Sequence, residues 1–303
     1  MGIGKLEIVD AHTHFFSYTW MQRFVELAKD DALTVDRLAQ KMNWDCPPKD
    51  PAELGKNWVA EQEKFGLSRQ ILFASGLEEA EFLAAAINTF PSRISGFFMA
   101  NPKLKLARNQ AMYSFNALGM KGVLLFPALH HYNVNSKEAY EVYEEALAAD
   151  AIVFTHFGQL KIPIFQKLGI EDNIDLRYSN PLDLKQAAHD FSEVNFVIPH
   201  FGCGRFEEAL ELASEFPNIF FDTSSSNAWI QPPLTLLEVF EKSLKTVGAH
   251  RLLFGTDSSF FPRGWRNDIF DKQLLILKQL QVSDQDIQAI MSKNINHLLR
   301  TNE

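Results

Sequence analysis

Eight short apolar runs, each followed by a longer run of helical periodicity, predict that this 303-residue chain is an α/β protein, a (β/α)8 barrel of the TIM type. Three observations carry the prediction. The apolar runs are continuous rather than alternating, as in parallel strands buried on both faces. The strand-then-helix order repeats eight times in about 250 residues, the usual span of such a barrel. Start and stop residues fall between the runs: Asp50 and Asn180 each precede a proline, and Gly66, Gly119 and Gly248 follow helix ends.

Strand 1 spans Leu6 to His12 and opens on the strand formers Leu6, Ile8 and Val9. The stretch from Phe15 to Asp50 is too long for a simple βα loop and carries two helical patterns of its own, Thr19 to Ala28 and Thr34 to Met42. It is expected to cap the barrel mouth and to supply substrate contacts from Phe16, Trp20, Phe24 and Trp44, because loops at an active face carry specificity. The first barrel helix, Pro51 to Phe65, begins at Asp-Pro and stops at Gly66. Strand 2 (Arg69 to Ala74) precedes helix Glu78 to Phe90, and strand 3 (Ile94 to Ala100) precedes helix Leu104 to Leu118. Strand 4 (Gly119 to Phe126) is paired with helix Lys137 to Ala149, and strand 5 (Ile152 to His156) with Pro181 to Phe191. Strands 6 (Asn195 to His200), 7 (Ile219 to Asp222) and 8 (Arg251 to Asp257) are followed by Arg205 to Phe216, Leu234 to Val247 and Asp268 to Leu280. A final helix, Asp284 to Leu299, lies outside the repeat. No linker or low-complexity segment interrupts the order, so residues 1–303 read as one domain with a capping insertion at about 15–50.

Composition narrows the function classes. A 46% hydrophobic content sustains a large core, and the net charge of −9 disfavours nucleic acid as a partner. No apolar run has transmembrane length and no signal-peptide core is seen at the N-terminus, so a cytoplasmic protein away from membranes is expected. Cys46 and Cys203 stand far apart, outside any CxxC, and imply no disulfide framework. A small-molecule substrate is the expected partner; assembly as a homodimer is left open.

The string VDAHTH at residues 9 to 14 carries chemistry. A strand points residues i and i+2 to one face, so the imidazoles of His12 and His14 project side by side from a strand end. Neutral imidazole is a preferred ligand of zinc and similar cations. His156 ends strand 5, His200 ends strand 6 and Asp257 ends strand 8. One buried histidine is usually a satisfied core residue. These five residues all fall at strand C-termini, where barrel enzymes keep their chemistry. Three imidazoles and a carboxylate converging there bind one divalent ion and leave a position for water, while a further histidine moves protons. A structural metal site is disfavoured, because such sites are closed and rarely carry a spare proton shuttle.

The D-x-H-x-H opening (Asp10, His12, His14), the strand-5 histidine His156, the HFG at His200, the FGTD ending in Asp257 and SKNINHLLR around Asn294 together resemble the amidohydrolase superfamily. The likeness covers nearly the whole length, and it is to the amidohydrolase-related branch that includes aminocarboxymuconate-semialdehyde decarboxylase. The GMKGVLLFP run around Lys121 resembles that branch too. The resemblance implies that His12, His14, His156 and Asp257 are metal ligands and that His200 orients or deprotonates a water. Binuclear members carry a bridging lysine at the end of strand 4. Here that end reads Leu124, Leu125, Phe126, Pro127, and Lys121 sits near the strand's start. A single ion is therefore expected, with zinc the default and manganese accepted by the same ligands.

His200 and Asp257 are the expected proton carriers. Hydrolysis of an amide, lactone or ester is the first reading, and non-oxidative decarboxylation of an aromatic or unsaturated acid the second. Asp10 shares the face of His12 and His14 by alternation, and is expected either to fix a histidine tautomer or to bond a neighbouring loop. Asp222, ending strand 7, is a further candidate for contact with a ligand. His130 and His131, after strand 4, read as surface loop residues. A substrate carboxylate is expected to meet an arginine, which binds it bidentately without titrating near neutral pH. Arg263 and Arg266 follow strand 8 in SSFFPRGWR, and Arg177 lies in the long loop after His156. Trp20, with Phe15, Phe16, Phe157, Trp229 and Phe260, is a candidate lining residue for a planar substrate.

Overall fold

The structure is a computed structural model that describes residues 6–76, 78–171, 173–230 and 232–300. The ends of the expected 1–303 domain, residues 1–5 and 301–303, lie outside the described residues.

Eight parallel strands follow one another around the sheet in chain order: β1 (Val9–His14), β2 (Arg69–Ala74), β3 (Ile94–Ala100), β4 (Gly122–Leu125), β5 (Ile152–Thr155), β6 (Phe196–Ile198), β7 (Ile219–Asp222) and β8 (Leu252–Leu253). The sheet closes where the chain beyond β8 returns to β1. Ala11 N donates to Phe254 O at 2.8 Å, Asp257 N to His12 O at 2.9 Å, and His14 N to Ser258 O at 2.7 Å. This is the barrel that the alternating pattern predicts. Strand 8 is shorter than its apolar run because Phe254 N turns aside to Ile290 O at 3.0 Å instead of extending the ladder.

Helices α1 (Tyr18–Leu27) and α2 (Val35–Met42) occupy the long segment after β1, and the first barrel helix is α3 (Pro51–Phe65). Asp50 accepts from Ala52 N, Pro51 takes the first turn, and Gly66 ends the helix at φ 75°. α4 (Ala80–Thr89) follows β2, and Ala107–Asn116, Lys137–Ala148, Lys185–Asp190, Phe206–Glu215, Leu236–Val247 and Asn267–Gln279 follow the remaining strands. One continuous layer of buried side chains, including Leu72, Phe98, Val123, Val153, Phe196 and Phe221, fills the space between strands and helices.

The barrel interior is a separate cluster. Val9, Ala11, Ile71, Leu124, Ile152, Val197 and Leu253 pack around three rings, Phe73, Phe97 and Phe154. Their centroids lie 5.1 to 5.4 Å apart in edge-to-face arrangement, the geometry favoured by aromatic quadrupoles. Losing one to alanine would cost about 3–5 kcal/mol in such a core. From below, Ile295, Leu298 and Leu299 of the last helical stretch complete this cluster, and Asn294 Nδ2 bonds Ala249 O and Leu252 O at 2.8 Å each. Asn294 thus ties that stretch to the start of β8.

A bulge in β1 decides what faces the mouth. Asp10 pairs with Gln70 and Thr13 with Leu72, so one extra residue is inserted between them. Val9 and Ala11 point into the barrel; the insertion resets the alternation, and His12 and His14 point inward as well. Asp10 is left on the other face. It accepts from His12 N (3.0 Å), Thr256 N (3.1 Å), Thr256 Oγ1 (2.5 Å) and Trp265 Nε1 (2.7 Å). Of its two expected roles, Asp10 takes the loop-bonding one, and it touches no imidazole ring.

Candidate active site

The imidazoles above the three phenylalanines come from three strand ends, and Asp257 comes from a fourth. His12 lies 4.5 Å from Phe73, 5.1 Å from His14 and 5.1 Å from His200, centroid to centroid. His156 lies 5.2 Å from His200 and stacks on Phe126 at 5.3 Å. Asp257 Oδ1 reaches His14 Nε2 at 3.0 Å and His12 Nε2 at 3.9 Å. The ligand atoms of His12, His14 and Asp257 all lie within 4.8 Å of one another; His156 adjoins this set through His200 without joining it.

Each of three imidazoles is held by its Nδ1. Asp222 Oδ2 accepts from His12 Nδ1 at 2.5 Å, and an ionised carboxylate only accepts, so the proton sits on Nδ1. Ser224 O, also acceptor only, takes His200 Nδ1 at 2.8 Å. Ser75 Oγ lies 2.5 Å from His14 Nδ1 and 3.3 Å from Phe73 O, so the hydroxyl anchors the ring to the end of β2. The Nε2 atoms of His12 and His200 are therefore bare acceptors, while His14 Nε2 lies 3.0 Å from the acceptor-only Asp257 Oδ1, so a proton or a cation belongs between those two atoms. Asp222, His12, Ser224 and His200 also approach one another closely, but their facing Nδ1 atoms are spent on this hydrogen-bond hub, so the group orients the two imidazoles.

Electrostatics agree with neutral donors beside an ionised acceptor. Burial lowers the pKa of His14, His156 and His200, and for His156 the neighbouring His200 and His12 add to it. Burial opposes charge on His12, yet the carboxylates of Asp222, Asp257 and Asp10 together outweigh it and raise that imidazole. This pull makes His12 Nε2 more basic. Burial works against ionised Asp257, but the hydrogen bond and charge of His14, with His200 and His12, hold its carboxyl well below the usual range.

Backbone strain collects here. β6 stops at Ile198 rather than running to His200, because Pro199 offers no N–H to the ladder and the next residues turn left-handed. His200, Phe201 and Cys203 have φ of 57°, 51° and 47°, and Asp257 has φ 58°. Each such residue costs about 1–2 kcal/mol, the kind of strain that functional sites retain. Gly158 supports the turn: a Cβ there would lie 2.2 Å from Gly202 O. Cys203 is a free buried thiol that donates to Gln159 O at 2.9 Å.

Phe16 stacks on His14 at 5.0 Å, and Trp20 stacks on the far side of Phe16 at 3.8 Å. Trp20 is enclosed by Phe16, Phe24 and Trp44, so Phe16 is the ring that meets the histidine. α1 and α2 pack through Met21, Val35 and Leu38 against Ile164 and Phe165 of the loop after β5. The three arginines divide. Arg177 is paired with Asp175 (2.6 Å) and Arg266 with Asp268 (2.6 Å). Arg263 lies over the Phe260 ring at 4.3 Å and donates to Ser259 Oγ (2.6 Å) and Asp257 O (3.3 Å), with no described carboxylate in an ion pair. A cavity of 340 Å³ beside this wall shares Phe16, Ser259 and Phe260 with it but contains none of the histidines. His130 and His131 sit in and after a short turn, Pro127–His130; His130 is half-buried and burial lowers its pKa to about 4.

Ser75, Glu79 and Ser224 escaped the sequence reading. The TSSS run directly after the apolar end of β7 was the available signal for Ser224; the others stand in ordinary loop sequence.

A model of the amidohydrolase family matches residues 9–301. The chain belongs to the amidohydrolase family. Protein fluG of Emericella nidulans is 33% identical over 101 residues, a match spanning 33% of this chain and 12% of that protein's length. The fold of this amidohydrolase is shared with 5-carboxyvanillate decarboxylase of Sphingomonas paucimobilis (TM-score 0.66, 12% identity, 98% of this chain and 100% of that one). It is shared also with a Pseudomonas putida protein assigned as a 2-pyrone-4,6-dicarboxylic acid hydrolase (0.64, 18%, 99% and 100%). A third is dihydroxybenzoic acid decarboxylase of Polaromonas sp., whose structure holds manganese (0.63, 14%, 98% and 98%). Among the described residues of this amidohydrolase, no helix is long and apolar enough to cross a membrane.

Proposed function

We propose that this amidohydrolase is a hydrolase with one divalent ion, acting on an amide, lactone or ester of a small carboxylated substrate. The observation that carries the reading is the convergence of the His12 and His14 Nε2 atoms on ionised Asp257, with each ring held from behind at Nδ1. Such a donor set fits zinc or manganese. His12, His14, His156 and Asp257 would hold the ion, which supplies Lewis acidity that acidifies a water and polarises a carbonyl. His200 accepts a proton at its bare Nε2, and the Ser224 carbonyl steadies the charge at Nδ1. The proton taken up by His200 passes back to the leaving group, with the Asp257 carboxylate as its relay. Arg263 holds the substrate carboxylate, and Phe16 shields one side from water.

Decarboxylation of an aromatic acid is the second reading. Arg263 suits an acid substrate, and decarboxylases are among the proteins sharing this fold.

The test is elemental analysis of the purified protein, then two panels: lactones, esters and amides of small acids, and carboxylated phenols. About one ion per chain and hydrolysis that stops on chelation are expected. His200→Asn should keep the ion and lose about 10² to 10⁴ in turnover. Two ions with a modified lysine would refute the mononuclear site, and loss of the ion from His200→Asn would move His200 among the ligands. Turnover confined to the carboxylated phenols would select the second reading.

A further inference from the structure

Glu79 is a buried carboxylate, 2% exposed, that the chemistry above leaves unused. It lies at the start of α4, yet it does not cap that helix. Its Oε1 accepts from the Ser17 backbone N–H at 2.7 Å, and its Oε2 from the Ser75 N–H at 2.7 Å. The groups that favour its charge are backbone amides, those of Ser17, Ser75 and Gly76, and the Ser17 hydroxyl. A carboxylate removed from water is costly, and so many converging amides mark a built clamp.

What the clamp joins is informative. Ser17 stands three residues after His14 and caps α1, its Oγ accepting from Trp20 N at 3.2 Å. Ser75 follows β2, and its Oγ is the hydrogen-bond partner of His14 Nδ1 at 2.5 Å. One carboxylate thus ties the loop after β1 to the loop after β2 at the point where the hydroxyl meets the imidazole. With Ser75 displaced, His14 Nδ1 loses its hydrogen-bond partner and the ring loses what aims its Nε2 at Asp257.

We infer that Glu79 is a positioning residue for the metal centre: by clamping the Ser17 and Ser75 amides it holds Ser75 Oγ against His14 Nδ1 and so presents His14 Nε2 to the divalent ion. The inference rests on the reading of His14 as a ligand.

The test uses Co²⁺ as the probe on the full chain, with Glu79→Gln, Ser75→Ala and the double variant. Glutamine keeps the shape but has one acceptor oxygen, so one of the two amides meets an NH₂ group. Each single variant should bind Co²⁺ about 10- to 100-fold more weakly in competition with a chromophoric chelator, the scale for outer partners of ligands. The double variant should fall no further than the weaker single, because both act by one route. The visible absorption of bound Co²⁺, which reports the ligand field and is blind to global stability, should shift in the same direction in both. Glu79→Gln with wild-type Co²⁺ affinity and spectrum overturns the inference, whatever its melting temperature. If that variant fails to fold, wild-type affinity in Ser75→Ala overturns it. A wild-type protein that binds no Co²⁺ overturns the metal-centre reading as well, which separates the two failures.

Discussion

Asp222→Asn is the sharpest probe of how the centre is held together. Asp222 is fully buried, and its two oxygens serve three donors: Oδ1 accepts from Ser224 N at 2.7 Å, and Oδ2 from Ser224 Oγ at 2.7 Å and His12 Nδ1 at 2.5 Å. An amide has one oxygen and one NH₂, so it satisfies only one side. If its oxygen stays on Ser224 N, the NH₂ faces His12 Nδ1, which must then accept; the His12 proton moves to Nε2 and that atom no longer ligates. If the amide flips, NH₂ opposes the Ser224 N–H, and two buried donors face each other at a cost of about 1–3 kcal/mol. Both branches weaken the ion's hold, by about 10- to 100-fold, or roughly 1.4–2.8 kcal/mol. The assay is chelator competition for zinc, with near-UV circular dichroism to confirm packing. A folded Asp222→Asn protein that keeps wild-type zinc affinity would refute the tautomer reasoning.

Gly255→Ala strikes the same hub from outside, since a Cβ there would lie 2.7 Å from Asp222 Oδ1 and 3.0 Å from His12 Cβ. It should cost about 1–3 kcal/mol in denaturant unfolding and weaken metal binding too, whereas unchanged values in both would mean that the hub has slack. Arg263→Met should raise KM and lower kcat/KM for an acid substrate while largely sparing its methyl ester; equal effects on acid and ester would remove Arg263 from the substrate site. Arg177→Met and Arg266→Met, whose guanidinium groups are engaged by Asp175 and Asp268, should leave that discrimination alone. Burial lifts Glu79 from 4.5 to about 7 in the folded protein, so the folded state keeps a proton that the unfolded chain releases. Stability should fall as pH rises from about 4.5 through about 7, by about 3 kcal/mol at about 1.4 kcal/mol per unit. Glu79→Gln should lack this slope in urea titrations of the metal-free protein; identical profiles would show that the carboxyl does not titrate there.

The barrel was legible because its signal is redundant. Continuous apolar runs, helix caps and the order of elements each point to the same architecture, and the bounds of β2, β3, β7 and α3 agree residue for residue with the runs that announced them. Ligand candidates were legible for a related reason: polar residues that terminate apolar strands are conspicuous. Their support was not, because it depends on one-residue geometry. The bulge between Asp10 and Thr13 reverses which residues of β1 share a face, and a strict period of two therefore gave Asp10 a place beside the histidines that the backbone denies it. The job of holding the His12 proton passes across the barrel to Asp222, 210 positions away, through contacts that local patterning cannot register. Glu79 is hidden more thoroughly. In SGLEEAEF it reads as one more acidic residue at a helix start, where negative charge is common and solvated. Only the fold turns that carboxylate inward onto Ser17 and Ser75. Chemistry that sits on strand ends can be read along the chain; chemistry that sits between strands has to be read across it.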